Sequence, residues 1–352
     1  MLPAYEAYLK GRYCLAAFTR ESLSRSREFH EQSIAMDASF APAHSGLAMA
    51  LVTLVLPGLS PSLRSMPLAR AAAERALHID PASQEAQAVL GMVAALHDFD
   101  WKEAEHNFRL AMSRNPVPAY VRWYYSYSYL LPLARTRESV QQCVRGLQDD
   151  PLNFMGGFHY AGALLAGGDA NAGEAHLCQL SEVHSSLYQP HYLLALSQTV
   201  RAFRKEALAA AERAYCLAPW STTTRGLFAG LLRYSSNSTR ADELYQELLP
   251  RDQYGTPMGL SLFHVGSSEV EQAADWAVKA IEQRDTRMIL LIASYVRCDL
   301  VSFVGIPGGC PSSAVWEFRP CSTGTSEREW SVAGTPSERL WAGCPGFARP
   351  LG

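Results

Sequence analysis

Side chains that could bind a metal are concentrated in the middle of the sequence. They are His159, His176, Cys178, His184 and His191, and imidazole and thiolate groups are ligands that zinc prefers. Residues two positions apart on a helix point about 200° away from each other, so His176 and Cys178 would not converge on one ion. The spacing therefore predicts ordinary core and surface residues, and we expect neither a metal nor another cofactor.

The motifs of common enzyme classes do not occur in this sequence. It has no GxGxxG or GxxxxGK[ST] phosphate loop, no HExxH zinc helix and no GxSxG nucleophile turn. GDANAGEAHL, which starts at Gly168, is similar to a calcium loop, but Leu180 stands where that loop needs a bidentate glutamate. Gly168 and Asp169 fit a turn that ends one helix and caps the next. We therefore expect no catalytic residues and no enzyme.

The charge balance disfavours nucleic acids and acidic peptides as partners. The formal net charge is −3 and the pI is about 6.4, so there is no basic excess to neutralise a phosphate backbone. Repeat domains that clamp an acidic peptide tail line their groove with lysines, and this chain has only Lys10, Lys102, Lys205 and Lys279. With 48% hydrophobic and 18% charged residues, the composition is that of a folding chain.

The sequence gives no sign of a membrane or of export. The stretch that comes closest to a membrane-spanning helix is LAMALVTLVLPGL, from Leu47. Pro57 and Gly58 interrupt it before it reaches the length of a membrane span. The first residues, MLPAYEAYLKGRYC, lack the basic start and apolar middle of a signal peptide. The 8 cysteines include no CxxC pair, so we expect reduced thiols and a cytoplasmic protein.

An internal repeat organises most of the chain. Helix ends followed by turns recur, and their first turn residues lie 33 to 35 residues apart except for a first interval of 43; these residues are Ala38, Pro81, Pro116, Pro151, Ser186, Pro219, Gln253 and Thr286. Proline suits this place because it cannot continue the preceding helix but can begin the next one. A period of this length is typical of a solenoid of helix pairs.

Small residues recur in the same register. Twelve residues before each turn lie Ser26, Ala69, Ala104, Ser139, Glu174, Ala207, Ala241 and Ala274, and five before it lie Ser33, Ala76, Ala111, Gly146, Ser181, Ala214, Leu248 and Ile281. The two positions are seven residues apart and share one helical face. Small side chains there allow two helices to cross closely, so these positions support the register of the repeat.

These residues resemble the tetratricopeptide repeat (TPR) family. Its second helix and unit boundary are matched best by FDWKEAEHNFRLAMSRNP, Phe99 to Pro116, through Ala104, Phe108, Ala111 and Pro116. The resemblance runs from about Ala4 to Ile292. It implies an all-α, right-handed superhelical solenoid of about eight helix pairs, the last one incomplete, over residues 1–292.

A narrower resemblance concerns two short stretches. AYEAYLKGRY near the start and the aspartate-tryptophan pair of FDWKEAEHNF are similar to the TPR regions that follow winged-helix, cyclase or kinase effector domains in bacterial regulators. No glycine-rich phosphate loop and no basic winged helix precede Ala4. We therefore expect a fragment of such a regulator or a free-standing relative.

Two segments depart from the repeat. The second unit carries nine additional residues in LVLPGLSPSLRSMP, where Pro57, Pro61 and Pro67 predict a long loop near 54–67. Such a loop is either a surface insertion or part of a functional face. Residues 301–352 contain eight glycines and six prolines but no lysine, which predicts an irregular tail. We expect it to be disordered or translated out of frame after about Val296, and a small β appendage containing VSFVGI is the alternative.

The stretch AYVRWYYSYSYLL, Ala119 to Leu131, has the highest aromatic density in the repeats. It falls on a first helix, where two apolar stripes are needed to pack against its partner and both neighbours, so most of its rings are expected in the core. First helices also line the concave face that receives ligands in the TPR family. Matching offsets in the following units predict a partner-binding aromatic patch made of Tyr120, Trp123, Tyr127, Phe154, Phe158 and Leu193.

The expected function is therefore protein-protein interaction. A peptide or protein partner would bind in the concave groove, with the chain as the sensing or regulatory part of a bacterial signalling or transcription regulator. The alternative is a small-molecule sensor or enzyme with a pocket between repeats, near His159, Glu174, His176 and His191. A third alternative is a structural hub in an oligomer, and the sequence leaves the oligomeric state open.

Overall fold

The computed structural model describes residues 2–235, 238–249 and 254–289, and their regular structure is helical throughout. The first helices of the pairs are α1 (Leu2–Ala17), α3 (Ala41–Val55), α5 (Gln84–Val93), α7 (Ala119–Tyr125), α9 (Phe154–Gly167), α11 (Gln189–Val200), α13 (Thr222–Tyr234) and α15 (Thr256–Gly266). The second helices are α2 (Arg20–Met36), α4 (Ser62–Ile79), α6 (Trp101–Ala111), α8 (Thr136–Asp149), α10 (Ala170–Val183), α12 (Arg204–Leu217), α14 (Ser238–Gln246) and α16 (Val270–Glu282). The predicted all-α solenoid of helix pairs is confirmed.

The turns begin and end the helices as the sequence predicts. Gly168 adopts a left-handed φ of 89° and ends α9, and the Asp169 carboxylate accepts a hydrogen bond from the Ala172 backbone N–H at 3.1 Å. GDANAGEAHL is therefore a helix-to-helix turn in this structure. Two first helices, α5 and α7, continue into one π-helical turn each, Ala94–Asp98 and Ser126–Leu130.

Small residues lie where the helices of a pair cross. Ala69, Ala104 and Ala207 are fully buried, and the hydroxyl of Ser26 donates to the Gly11 carbonyl at 2.8 Å. Leu248 and Ile281 are larger exceptions to this pattern, and Glu174 is a charged one. Its carboxylate accepts a hydrogen bond from Ser197 and pairs with an arginine of the next turn, so its charge lies away from the helix crossing.

The structure corrects the predicted loop at 54–67. The connection comprises only residues 56–61, because α3 extends to Val55 and α4 begins at Ser62. Pro67 lies inside α4, where it is exposed, and the carbonyl left without its helical partner belongs to the exposed Leu63. Leu56 and Pro57 are buried, so the connection turns into the solenoid and does not protrude from its surface.

Two of the first helices, α3 and α13, are covered on almost every side. Every residue of α3 from Ala48 to Val55 is buried, and so is every residue of α13 from Gly226 to Leu232. None of the described helices is both long and apolar enough to cross a bilayer. The predicted tail 301–352, with its strand candidate VSFVGI, lies outside the described residues.

Candidate functional site

Aromatic side chains of three consecutive units converge on one cavity. Tyr127 follows α7, Phe158 lies on α9, and Tyr188 and Tyr192 lie at the start of α11. They line a cavity of about 40 Å³ together with Phe18, Leu56, Pro57, Met155, His159, Gln189, Thr223 and Arg287. We call this cavity and its lining the inner chamber. Parts of its lining come from distant regions of the chain. Leu56 and Pro57 belong to the α3–α4 connection, and Arg287 follows α16.

The rings of the inner chamber are stacked on one another. Tyr127 lies parallel to the His159 imidazole, with ring centroids 4.8 Å apart and an interplanar angle of 11°. Phe158 stacks on Phe154 at 5.8 Å, and Phe154 in turn contacts Phe18 at 5.7 Å. Burial raises the pKa of the Tyr188 phenol to about 12, so this hydroxyl is a neutral hydrogen-bonding group at physiological pH.

A short segment after α16 contributes Arg287 to the lining of the inner chamber. We call it the plug segment, Asp285–Ile289, and all five of its residues are buried. The Thr286 hydroxyl donates to the Val55 carbonyl at 3.4 Å, across 231 residues of sequence. Met288 and Ile289 line a second cavity of about 30 Å³ with Leu96, Phe99, Trp101 and Pro132. The plug segment thus occupies the space between the α3–α4 connection and the later first helices.

The charge in the plug segment is a buried ion pair. The Arg287 guanidinium binds the Asp285 carboxylate through two hydrogen bonds, from Nε at 2.8 Å and from Nη2 at 2.5 Å. Nη1 also donates to the Thr222 hydroxyl at 3.3 Å. Burial disfavours the charged form, but the adjacent Asp285 carboxylate outweighs it and keeps the pKa of Arg287 above its ordinary value. The guanidinium therefore stays charged inside the solenoid.

The six residues of the predicted aromatic patch lie in four different places. Tyr127 and Phe158 line the inner chamber, with Phe154 directly behind them. Trp123 fills the space that Gly146 of α8 and Gly156 of α9 leave open, and Leu193 is fully buried in the helix packing. The six residues therefore do not form one exposed floor, and their role in partner binding stays a prediction.

Tyr120, the sixth residue of the predicted patch, belongs to a separate polar cluster. The Arg12 guanidinium lies 5.0 Å from the centre of the Tyr120 ring and pairs with Glu85, which also accepts a hydrogen bond from Ser45 at 2.8 Å. Burial raises the pKa of the Tyr120 phenol. These residues come from α1, α3, α5 and α7, so the first helices of four units meet here around one ion pair.

Sequence reasoning missed Tyr188, Tyr192 and Arg287. The repeat interval does predict the two tyrosines. Tyr188 and Tyr192 lie 34 residues after Phe154 and Phe158, and the residues of each pair are one helical turn apart. Counting from the turn residues placed Leu193 at this position, one residue too far along the chain. Arg287 carries no comparable signal, since its neighbours come from elements far apart in the sequence.

The residues of the alternative pocket are not gathered at one point. His159 lies in the chamber wall, whereas Glu174 pairs with Arg201 at 2.9 Å and His176 lies edge-on to Tyr160 at 5.2 Å. Within residues 2–235, 238–249 and 254–289, no group of three or more His, Cys, Asp or Glu side chains is arranged to hold a metal ion. Cys143 is buried, which raises its thiol pKa to about 12, so this thiol is unreactive at neutral pH.

The buried histidines predict a loss of stability in mild acid. Burial lowers the pKa of His159 to about 3 and that of His30 to about 4, below the ordinary 6.5. At a pH between the lowered pKa of each histidine and 6.5, the unfolded chain binds more protons than the folded one. The free energy of unfolding therefore falls as the pH drops below about 6.5. We expect each histidine to remove about 2 kcal/mol of unfolding free energy between pH 7 and pH 5.

Chemical unfolding at the two pH values measures this effect. His159→Phe keeps an aromatic ring against Tyr127 and is expected to reduce the difference between pH 7 and pH 5. The exposed His106 provides the matched control, and His106→Phe is expected to leave the difference unchanged. An equal pH dependence in the wild type and in His159→Phe would contradict the prediction.

No protein-family model and no curated protein matches the sequence. Among solved structures, yeast Tom70 is similar over 82% of this chain and 63% of its own length, with 14% identity and a TM-score of 0.51. PilW, a widely conserved type IV pilus biogenesis factor, is similar over 59% of this chain and 91% of its own, with 18% identity and a TM-score of 0.48. YrrB, a TPR protein with an unusual peptide-binding site, covers 54% of this chain at 16% identity and a TM-score of 0.36.

The stacking of the helix pairs defines the class of fold. Antiparallel helix pairs that cross over small residues and stack in chain order define a helical solenoid. The likeness to Tom70 agrees with this classification at the level of the fold, a TPR-like solenoid.

Proposed function

We propose that the protein is a scaffold for protein-protein interaction and that the inner chamber holds a peptide of its partner. The convergence of Tyr127, Phe158 and Tyr192 from three consecutive units supports this proposal. Aromatic side chains dominate interface energies because they cover a large area with few rotatable bonds. Rings already held in place by the solenoid lose little freedom when a peptide binds, so the chamber is preorganised.

A peptide can enter only if the inner chamber widens. Its volume of about 40 Å³ accommodates a few water molecules, since one water needs about 10–15 Å³. Pro57 and Arg287 stand in the way of anything larger. Binding therefore requires a second, open state in which the α3–α4 connection or the plug segment moves, and the structure described above is the closed state.

The chemistry of the inner chamber supports binding as its role, without catalysis. His159 has a pKa of about 3, which makes it a weak base at neutral pH, and the Arg287 charge is already paired with Asp285. The chamber is also too small in the closed state for a typical metabolite. These features support the proposal that the chain is not an enzyme.

We also propose that the chain is the sensing or regulatory part of a bacterial signalling or transcription regulator that works in the cytoplasm. The resemblance of AYEAYLKGRY to such regulators supports this proposal. So does the surface of α1, where Leu2, Tyr5, Leu9 and Tyr13 are exposed along one side of the helix. A continuous apolar row of this kind is typical of a contact surface. The four cysteines of the described part, which are free thiols, fit a reducing compartment.

Site-specific photo-crosslinking in living cells tests the binding proposal. Benzoylphenylalanine in place of Tyr188 puts a reactive group in the inner chamber, and the same residue in place of Tyr234, which is 51% exposed at the end of α13, serves as the control. We expect partner polypeptides to be captured from position 188 and not from position 234. Capture of the same polypeptides from both positions, or from position 234 alone, would rule out the inner chamber as the binding site.

A further inference from the structure

We propose that the slot around Arg287, at the wall of the inner chamber, recognises a turn of the form Asp-X-Arg, and that the protein's own Asp285–Ile289 occupies this slot until a partner carrying such a turn displaces it. This inference rests on the proposed function, because it names the ligand class of the same site. It follows from the shape of the site, from its charge, and from polar groups that the plug segment leaves unpaired.

The shape of the site fits a guanidinium group. Arg287 lies between Gly58 of the α3–α4 connection and Gly255, just before α15, and both glycines adopt a left-handed φ, 82° and 86°. A Cβ on Gly58 would lie 2.5 Å from Arg287 Nη1, and one on Gly255 would clash with Nη2. The absence of side chains on both sides thus creates a flat slot into which the planar guanidinium fits.

The charge of the site explains why the ligand must bring an aspartate. Among the described residues, the acidic side chain paired with Arg287 is Asp285, which belongs to the same turn. The slot itself contributes neutral groups, the Thr222 hydroxyl and the Tyr254 ring. A buried charge is stabilised only when it is paired and hydrogen-bonded. An arginine arriving without its own carboxylate would therefore be disfavoured, whereas an Asp-X-Arg turn is neutral as a unit.

The plug segment does not satisfy every polar group of the inner chamber. Tyr192 and Gln189 line it, and the Tyr192 hydroxyl and the side-chain amide oxygen Oε1 of Gln189 are buried and make no hydrogen bond. A buried polar group without a hydrogen-bond partner destabilises the folded state. A partner turn with additional polar atoms could pair with both groups, and it would then bind more tightly than the segment that now fills the site. This imperfect fit is what makes displacement thermodynamically reasonable.

The two residues after the arginine extend the recognition. Met288 and Ile289 pack beside Phe99, Trp101 and Pro132 along the second cavity. The preferred ligand therefore has apolar side chains at the two positions that follow its arginine.

A peptide competition with the full-length protein tests this inference. The probe is a fluorescein-labelled peptide of sequence QRDTRMI, which copies residues 283–289, and the control peptide is QRDTAMI. In the double variant Asp285→Ala, Arg287→Ala the internal turn no longer fills the slot. The apparent affinity of a ligand is proportional to the fraction of protein whose slot is empty. We therefore expect this variant to bind the probe at least about tenfold more tightly than the wild type does. The control peptide should bind neither protein.

Hydrogen exchange on the wild type gives a measurement that does not depend on the variant's stability. With excess QRDTRMI, amides of residues 283–289 should exchange faster while those around Tyr188 and Tyr192 stay protected, and QRDTAMI should have no such effect. Equal binding of both peptides, or no binding to a helical double variant together with unchanged exchange in the wild type, would overturn the proposal. If the peptide experiments fail in this way but partners are still crosslinked at position 188, the inner chamber is a binding site for a different ligand. Probe binding without crosslinked partners would instead contradict the scaffold function alone.

Discussion

Asp285→Ala is expected to lower the free energy of unfolding by about 3–5 kcal/mol. The carboxylate is fully buried and holds the Arg287 guanidinium through two hydrogen bonds. Its removal leaves a buried cation without a partner, and the neutral Thr222 hydroxyl at 3.3 Å cannot replace the lost charge. Urea-induced unfolding followed by circular dichroism measures the change.

An exposed ion pair provides the control for Asp285→Ala. Arg135 and Glu138 form an i, i+3 pair at 2.6 Å in which Arg135 is partly exposed and Glu138 is exposed. Glu138→Ala is expected to change the unfolding free energy by about 0–1 kcal/mol, since solvent weakens such pairs. Asp285→Ala, Arg287→Met removes both charges and should recover much of the loss. If Asp285→Ala is no more destabilising than Glu138→Ala, the plug segment does not hold a buried ion pair in solution.

Gly226→Ala is expected to destabilise the protein by about 3 kcal/mol, at the upper end of what an added methyl group does in a packed core. Gly226 on α13 faces Gly259 on α15, and a Cβ at position 226 would overlap the Gly259 carbonyl, 2.8 Å from its carbon. The obstacle is backbone, so no side-chain rotation can relieve it. The two first helices would have to move apart, which disturbs the wall of the Arg287 slot as well.

Gly162→Ala is the matched comparison for Gly226→Ala. Gly162 also lies in the interior of a first helix, α9, and the nearest atom to an added Cβ is Leu193 Cδ2 at 4.0 Å. Alanine forms helix better than glycine by roughly 0.5–1 kcal/mol, so this variant should be neutral or slightly more stable. Thermal unfolding compares the melting temperatures of the two variants. Equal melting temperatures would show that α13 and α15 do not approach as closely as the structure indicates.

The repeat could be read from the sequence because its constraint is local. Ala104 and Ala111 lie on one face of α6 and are buried where the two helices of one unit cross. The partner helix in the same unit imposes the small size, so the constraint recurs once per unit and appears as a period. The same logic explains why Gly168 and Asp169 were correctly assigned to a turn.

The candidate site was only partly predictable for the opposite reason. A helical projection places Trp123 and Tyr127 on one stripe, but it does not show what covers that stripe. In the structure the Trp123 indole enters the gap above Gly146, whereas Tyr127 reaches the inner chamber. The glycine that makes room for Trp123 lies on α8, and its effect depends on how α7, α8 and α9 meet.

The sequence by itself therefore determined the class of fold, the helix pairs and the residues at their crossings, because these depend on contacts within a unit or between adjacent units. Only the tertiary structure decided that the plug segment packs against the end of α3 and that Arg287 lies among the tyrosines. The hydrogen bond from Thr286 to Val55 joins residues 231 positions apart, and their meeting depends on the rotation accumulated over the intervening helix pairs. A small change in the angle between neighbouring pairs adds up over the array, and no spacing in the sequence records that sum.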